Sequence, residues 1–128
     1  MKKLLVVDDS SVVRGIVVRV LREAGLGDDG IVEAASGIEA LRRIGTDPSI
    51  GLVLSDVHMP GMNGIDFLRT LRERRTKSEL PVLLLTSGDA QTLAASALED
   101  GANGWLLKPF TADSVRAACE PWLARSDR

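Results

Sequence analysis

The sequence predicts an α/β fold, a (βα)5 arrangement in which helices cover both faces of a doubly wound, five-stranded parallel sheet. Short apolar runs alternate five times with longer amphipathic segments along the chain. Most of these runs are continuously apolar, which is typical of strands that are buried on both faces. Because a helix connects each strand to the next, we expect parallel strands and right-handed crossovers that place helices on both sides of the sheet.

The five predicted strands are the apolar runs, each of which is too short to be a stable helix. They are separated by segments in which apolar residues recur at helical spacing. In chain order the strands are Leu4–Val7, Ile31–Val32, Leu52–Leu54, Val82–Leu85 and Trp105–Leu107.

The first predicted helix begins after Ser10 or Ser11, since either hydroxyl can serve as an N-cap. Its apolar residues form one stripe, and Arg14 lies on the opposite, polar side. Gly25 or Gly27 is predicted to end this helix, because glycine tolerates the left-handed conformation that commonly follows a helix.

The second and third predicted helices also begin at residues typical of N-caps. Ser36 is followed three residues later by Glu39, which is the pattern of a capping box. Asn63 or Gly64 begins the third helix, and a fourth, alanine-rich helix is predicted from about Asp89 to Asp100.

The fifth predicted helix spans Thr111–Leu123, within which Pro121 would break or kink the helix because an interior proline removes a helical hydrogen bond. Cys119 is the single cysteine of the chain and lies at helical spacing with the apolar residues of this segment. We therefore predict that Cys119 is a small core residue and not a nucleophile.

Length, charge and hydropathy exclude several classes of protein. The 128 residues contain no repeat or flexible linker, so a single domain over residues 1–128 is expected. The formal charge of −2 gives no general attraction to nucleic acid or to anionic membranes. The longest apolar runs are far shorter than a membrane span, and no secretory leader is recognisable, so a cytoplasmic location is predicted.

Polar side chains follow four of the five predicted strands. Asp8 and Asp9 follow the first strand, Asp56 the third, Thr86 the fourth and Lys108 the fifth. The carboxyl ends of parallel strands meet at one edge of the sheet, which is where ligands bind in such folds. Polar residues that merely mark strand ends would explain any one of these positions, but not three acids that accompany a single lysine.

Three neighbouring carboxylates repel one another, and one ammonium group is not enough to neutralise them. A hard divalent cation with oxygen ligands resolves this conflict, and Mg²⁺ suits a site with few protein ligands and several waters. A carboxylate beside Mg²⁺ and an ammonium group is also a suitable phosphoryl acceptor, because phosphoryl transfer requires mainly positioning and charge neutralisation. The residues therefore predict Mg²⁺ binding together with phosphorylation of an aspartate.

Four motifs in this order resemble the receiver domains of two-component response regulators. They are Leu4–Ser10, Asp56–Gly64, Leu85–Gly88 and Gly104–Phe110, and the resemblance extends over nearly the whole chain, from Leu4 to Thr111. It implies the flavodoxin-like strand order 2-1-3-4-5 and a signalling protein that catalyses only its own phosphorylation and dephosphorylation.

The resemblance also implies the ligands of the site. Asp56 would accept a phosphoryl group from a histidine kinase or a phosphotransfer protein. Asp9 would bind Mg²⁺ directly and Asp8 through water. The backbone carbonyl of His58 would be a further ligand, while its side chain faces solvent.

The remaining motif residues would form the switch. Thr86 would donate its hydroxyl to a phosphoryl oxygen, and Lys108 would pair with another. Pro109 would follow a cis peptide bond to Lys108. Trp105 would be the aromatic residue that turns inward when Thr86 moves towards the phosphate.

The partner surface implied by the resemblance is the face formed by the fourth helix, the fifth strand and the fifth helix. A downstream protein target, or a second copy in a phosphorylation-dependent dimer, would bind there. This face contains few bulky charged residues, so it is either an ordinary alanine-rich helix with one buried side or a surface of small residues suited to another protein. The residues concerned are Leu93, Ala94, Ala95, Ala97, Leu98 and Ala102.

Other functions stay open at this point. The sequence contains no output domain, which indicates a stand-alone regulator, although a receiver trimmed from a larger multidomain regulator would look the same. A phosphatase-like enzyme with an aspartate nucleophile would place a second acid two residues after Asp56, where His58 stands. A flavodoxin-type module would need hydroxyl and amide groups after the first strand, where this chain has two acids.

Overall fold

The computed structural model describes residues 2–87, 92, 95 and 97–126. Five parallel strands form one sheet in the order β2-β1-β3-β4-β5, which confirms the predicted fold class and strand order. The central strand β3 is longer than predicted because Gly51, Ser55 and Asp56, which interrupt or follow the apolar run, are also buried within it. The strands are β1 (Lys3–Val7), β2 (Ile31–Ala34), β3 (Ile50–Asp56), β4 (Val82–Thr86) and β5 (Gly104–Leu107).

Four helices have bounds within the described part of the chain, where five were predicted. Most of the predicted fourth helix lies outside the described residues. Thr92 and Ala95 are helical, whereas residues 97–100 form turns, so the predicted helix end at Asp100 is wrong. The chain turns because Ala102 donates its amide to the carbonyl of Ala97 across Gly101, whose φ is +107°. The four helices are α1 (Ser11–Glu23), α2 (Gly37–Thr46), α3 (Gly64–Arg72) and the C-terminal helix (Ala112–Ser126).

The predicted N-caps determine where α1, α2 and α3 begin. The hydroxyl of Ser10 accepts a hydrogen bond from the Val13 amide, and that of Ser36 accepts one from the Glu39 amide. The side chain of Asn63 accepts from two amides at the start of α3. Because each cap lies in the loop that follows a strand, the first turns of these helices lie at the carboxyl edge of the sheet.

The C-terminal helix begins one residue later than predicted and continues through Pro121 to Ser126. Pro121 is exposed, and so is Ala117, whose carbonyl loses its helical partner, so water can satisfy that carbonyl. Cys119 is buried as predicted, and burial raises the pKa of its thiol to about 12. None of the described helices is long and apolar enough to cross a membrane.

Each face of the sheet is covered by its own apolar core. On one face, the side chains of α2 and α3, including Phe67 and Leu68, pack on alternate residues of the strands. On the other face, α1 contributes Val17 and Leu21, and the C-terminal helix contributes Val115 and Cys119. This double cover explains why the strands are continuously apolar and leaves the strand ends as the place where polar groups can cluster.

Candidate functional site

The carboxyl ends of four adjacent strands bring the predicted polar residues together. Asp8 and Asp9 directly follow β1, Asp56 is the last residue of β3, Thr86 is the last residue of β4, and Lys108 follows β5. Since the strand order places β1, β3, β4 and β5 side by side, residues separated by as much as a hundred positions become neighbours at one edge.

Asp8, Asp9 and Asp56 form a compact cluster of carboxylates, in which one oxygen from each lies within 4.8 Å of the others. Asp8 and Asp56 are buried, whereas Asp9 is exposed. The pKa of Asp8 is raised, mainly because burial disfavours its charged form and further because Asp56 lies close. The amide of Ser10, which donates to Asp8 Oδ1 at 2.9 Å, opposes this rise in pKa.

Lys108 is the cation of the site. Its Nζ donates to Asp56 Oδ1 at 3.3 Å and lies 3.9 Å from Asp8 Oδ2. The backbone of Lys108 is fixed to β4, since its amide donates to the carbonyl of Thr86 at 2.7 Å. The peptide bond between Lys108 and Pro109 is cis. One ammonium group therefore serves two of the three carboxylates, and the cluster retains an excess of negative charge.

Asp8 Oδ2 is a buried polar atom without a hydrogen-bond partner among the described residues. An unsatisfied buried carboxylate oxygen is costly unless a ligand compensates it. The donor set consists of carboxylate oxygens, which are the ligands of hard divalent cations such as Mg²⁺. These residues therefore fit a Mg²⁺ ion. The side chain of His58, in the loop after β3, is exposed.

Within the described part of the chain, neither Thr86 nor Trp105 forms a hydrogen bond with the carboxylates of the acid cluster. The hydroxyl of Thr86, which is buried, donates to the carbonyl of Ser87 at 3.1 Å. Trp105 pairs in register with Leu84 of β4 and is half-buried against the core beneath α2 and α3. The structure thus brings together the three acids and Lys108 directly, and connects Thr86 to them through the backbone of Lys108.

The described residues of the predicted partner face divide between the core and the surface. Ala97 and Ala102 are fully buried, so they belong to the core and not to a surface. Their methyl groups pack into the core beneath α2 and α3. Leu98 is exposed by 41%, and Leu107 of β5 is exposed to the same extent. Leu93 and Ala94 lie outside the described residues.

Two residues support the site in ways that the sequence analysis did not predict. Arg14 was assigned to a solvent-facing side, but its guanidinium donates to the backbone carbonyl of Asp8 at 2.7 Å and to Glu33 at 3.2 Å. Gly64 packs so closely that a Cβ atom would overlap the carbonyl oxygen of Asp56. Gly64, two residues after Met62, could have indicated that two backbone segments approach closely there, because glycine has no Cβ atom. Nothing in the sequence indicated the hydrogen bond made by Arg14.

Comparisons with known proteins agree with this geometry. The sequence model of the family described as response regulator receiver domain matches residues 4–120. Chemotaxis protein CheY1 of Helicobacter pylori is 33% identical over 125 residues, which cover 98% of this chain and 99% of that protein. A chemotaxis protein CheY homolog of Campylobacter jejuni is 32% identical over 94% of this chain and 92% of its own length.

Solved structures show the same fold. A response regulator receiver domain protein from Clostridium thermocellum has a TM-score of 0.86 and 30% identity, with coverage of 99% of this chain and 98% of that one. A probable two-component system response regulator/GGDEF domain protein has a TM-score of 0.90 and 34% identity; it matches 100% of this chain, which spans only 51% of that protein. With the family match over residues 4–120, the chain belongs to the response regulator receiver domains and is related to the CheY-like regulators of two-component signalling.

Proposed function

We propose that Asp56 is the phosphoacceptor of a two-component relay, and that a histidine kinase or a phosphotransfer protein supplies the phosphoryl group. The position of the Asp56 carboxylate carries this proposal: it lies 3.3 Å from Lys108 Nζ and within the cluster formed with Asp8 and Asp9. Such a carboxylate is held in a fixed place beside a cation, with more negative charge around it than Lys108 can neutralise.

Asp8, Asp9 and Asp56, with the backbone carbonyl of His58, would hold Mg²⁺. When bound, this ion supplies neutralisation of negative charge on the phosphoryl oxygens. A carboxylate oxygen of Asp56 forms the new bond to phosphorus, while the bond from phosphorus to the donor imidazole nitrogen breaks and its electron pair stays on that nitrogen. Lys108 pairs with one phosphoryl oxygen and the Thr86 hydroxyl donates to another. The chain would catalyse only this transfer and the later hydrolysis.

The test is phosphorylation by acetyl phosphate in the presence of Mg²⁺, followed by intact-mass measurement. We expect the mass of one phosphoryl group on the wild-type chain and none on Asp56→Asn. Asp66→Asn is the matched control, because Asp66 is an exposed acid on α3 outside the cluster. A phosphoryl group that persists on Asp56→Asn, or is lost on Asp66→Asn, would show that the acceptor is a different residue.

Phosphorylation is proposed to change the surface formed by β5 and the adjacent helices. Thr86 would turn towards the phosphoryl group, and Trp105 would move further inward behind it. Leu98 and Leu107, both exposed by 41%, provide apolar contacts on this surface for a protein target or a second copy of the chain. Nucleic acid and membranes are not proposed as direct partners, and the proposed location is the cytoplasm.

Partner capture with and without beryllofluoride, which mimics the phosphoryl group on Asp56, tests this switch. We expect at least one partner, or the dimer, to be retained only with beryllofluoride, and Leu107→Ser to weaken that retention. Identical retention in both states would refute a phosphorylation-dependent surface, even if Asp56 is phosphorylated.

A receiver within a larger regulator is a second candidate arrangement. It is favoured by the match to the response regulator/GGDEF domain protein, of which this chain spans 51%. The phosphoacceptor chemistry proposed for Asp56 is the same in both arrangements, but the output would then be exerted on a domain in the same protein. Sequencing of the transcript or mass measurement of the native protein distinguishes the two arrangements.

A further inference from the structure

A cleft lies between the C-terminal parts of α2 and α3. Leu41 and Ile44 of α2 line it from one side and Leu71 of α3 from the other, and its volume is about 280 Å³. Small-molecule sites usually measure about 300–1,000 Å³, so this cleft is at or below the lower limit for a whole ligand. Its size instead suits one large apolar side chain that belongs to a bigger partner.

The lining of the cleft includes two basic residues. Arg74 and Arg75 line it, and their side chains form no hydrogen bond or ion pair with any residue that the structure describes. They belong to the segment Arg72–Lys77, which contains four basic residues and one acidic residue. The carboxylate of the nearby Glu79 accepts a hydrogen bond from the amide of Thr76, and the charge of Arg75 contributes to lowering its pKa. In a chain with a net charge of −2, this is a local concentration of positive charge.

The cleft is remote from the proposed phosphoacceptor. Both helices begin at the carboxyl edge of the sheet, where Asp56 lies, and they run back towards the opposite edge. With 10 residues, α2 is about 15 Å long, so its last turn lies at the far end of the molecule. A partner in the cleft therefore has no contact with Asp56 or with the surface around Leu107.

We propose that this cleft binds an acidic segment of a partner protein. One apolar side chain of that segment enters between Leu41, Ile44 and Leu71, and neighbouring Asp or Glu carboxylates pair with Arg74 and Arg75. Guanidinium groups bind carboxylates in a two-pronged geometry, and the apolar anchor adds burial that a purely ionic contact lacks. The contact is made in both phosphorylation states and would dock the receiver independently of its switch.

A panel of short fluorescein-labelled peptides tests the proposal. Each peptide carries Leu, Ile, Met, Phe or Trp at its centre and Asp or Glu on both sides. Two comparison peptides carry Ser at the centre, or Lys in place of the acids. By fluorescence anisotropy we expect at least one acidic peptide with an apolar centre to bind, and both comparison peptides to bind at least roughly tenfold more weakly.

Variants of the protein locate the binding. Arg74→Glu with Arg75→Glu should weaken the best peptide at least roughly tenfold, whereas Arg19→Glu on the exposed side of α1 should not. Gly45 lines the cleft, and a Cβ atom there would have no heavy atom within 4 Å, so Gly45→Phe has room to fold and should block the cleft. Gly15→Phe is its control, because Gly15 lies on α1 with equally open surroundings. Thermal unfolding verifies that each variant is folded.

Asp56→Asn and beryllofluoride should both leave the affinity unchanged, so a failure of the phosphoacceptor proposal and a failure of this one are distinguishable. The proposal is overturned if no peptide of the panel binds, or if binding is indifferent to the cleft variants. It is equally overturned if decanoate, a small anionic amphiphile, occupies the cleft in preference to every peptide, or if the chain self-associates through the cleft.

Discussion

The buried charged side chains at the two edges of the sheet differ in whether their hydrogen bonds are satisfied. At the carboxyl edge, the carboxylates of Asp8 and Asp56 are buried near a single lysine, and Asp8 Oδ2 has no hydrogen-bond partner within the described chain. At the amino edge, the guanidinium of Arg72 is half-buried and every hydrogen bond that it makes goes to a neutral oxygen. A buried charged group that lacks a hydrogen-bond partner indicates a ligand-binding site, and one whose hydrogen bonds are all formed within the protein indicates a structural role.

Arg72 organises the amino edge by connecting three segments. It donates to the carbonyls of Gly101 and Leu80 at 2.8 and 2.9 Å, and to Asn103 Oδ1 at 3.1 Å. Two further bonds go to carbonyls in the turn after α3, at Arg75 and Thr76. Burial lowers the pKa of Arg72 to about 10, with the charge of Arg75 as a second cause, so the guanidinium stays protonated at neutral pH. The end of α3 and the starts of β4 and β5 are thereby tied together.

The largest expected effect on stability is that of Arg72→Met. The substitution keeps most of the apolar stem but removes all five hydrogen bonds, so the free energy of unfolding should fall by about 3 kcal/mol. Urea denaturation measures this loss. Arg69→Met is the control, since the Arg69 side chain is exposed and forms a surface ion pair with Asp100, and it should leave the midpoint nearly unchanged. Equal losses in the two variants would mean that Arg72 is an ordinary surface arginine.

The next largest effect is expected at the carboxyl edge, where Mg²⁺ would bind. Mg²⁺ should raise the unfolding free energy of the wild-type chain, by about 2.7 kcal/mol at a concentration roughly a hundredfold above its dissociation constant. Asp8→Asn should lose most of this stabilisation, because it removes a buried carboxylate from the cluster. Thermal denaturation against Mg²⁺ concentration, with NaCl at matched ionic strength, measures both. The same stabilisation from NaCl, or an unchanged response in Asp8→Asn, would contradict a specific cation site.

The acid cluster could be predicted because the position of each member in the sequence indicates where it lies in the fold. Asp8, Asp9, Asp56 and Lys108 each follow an apolar run, and a parallel sheet converts that pattern into proximity. The strand order was not contained in the same pattern. Apolar runs indicate that strands are buried on both faces but not which strands are neighbours, and the order came from the resemblance to receiver domains.

Arg72 and Arg14 could not be predicted because their partners are mainly backbone carbonyls. Every residue supplies a carbonyl, so the bonds from Arg72 to Gly101, 29 positions away, and from Arg14 to Asp8 leave no complementary residue type in the sequence. Basic residues at the C-terminal end of a helix are commonly solvated and favoured by the helix dipole. That holds for Arg74, which is exposed, but not for Arg72, which is half-buried.

A smaller effect of opposite sign to that of Arg72→Met is expected for Asp8→Asn in the absence of Mg²⁺. The amide is nearly isosteric with the carboxylate but removes a buried negative charge that Asp56 repels, so the free energy of unfolding should rise by about 1 kcal/mol. Asp9→Asn, at the exposed position of the same cluster, should give a smaller rise. Urea denaturation in EDTA is the measurement. A marked loss of stability in Asp8→Asn would mean that its charge is needed by the fold itself.

The smallest effect is the pH dependence of the difference in unfolding free energy between Asp8→Asn and the wild-type chain. The pKa of Asp8 is raised in the folded state above its ordinary value of 3.8, so the folded chain binds this proton more tightly than the unfolded chain does. Above the folded pKa the ionised carboxylate costs stability, and as the pH falls through the folded pKa and then below 3.8 that cost is recovered. The advantage of Asp8→Asn over the wild-type chain should therefore shrink as the pH is lowered from neutral, in EDTA. If the stability advantage of Asp8→Asn instead grew towards acid pH, the destabilising charge would belong to a different residue. The buried charge at the carboxyl edge would then be compensated within the protein, as it is at the amino edge.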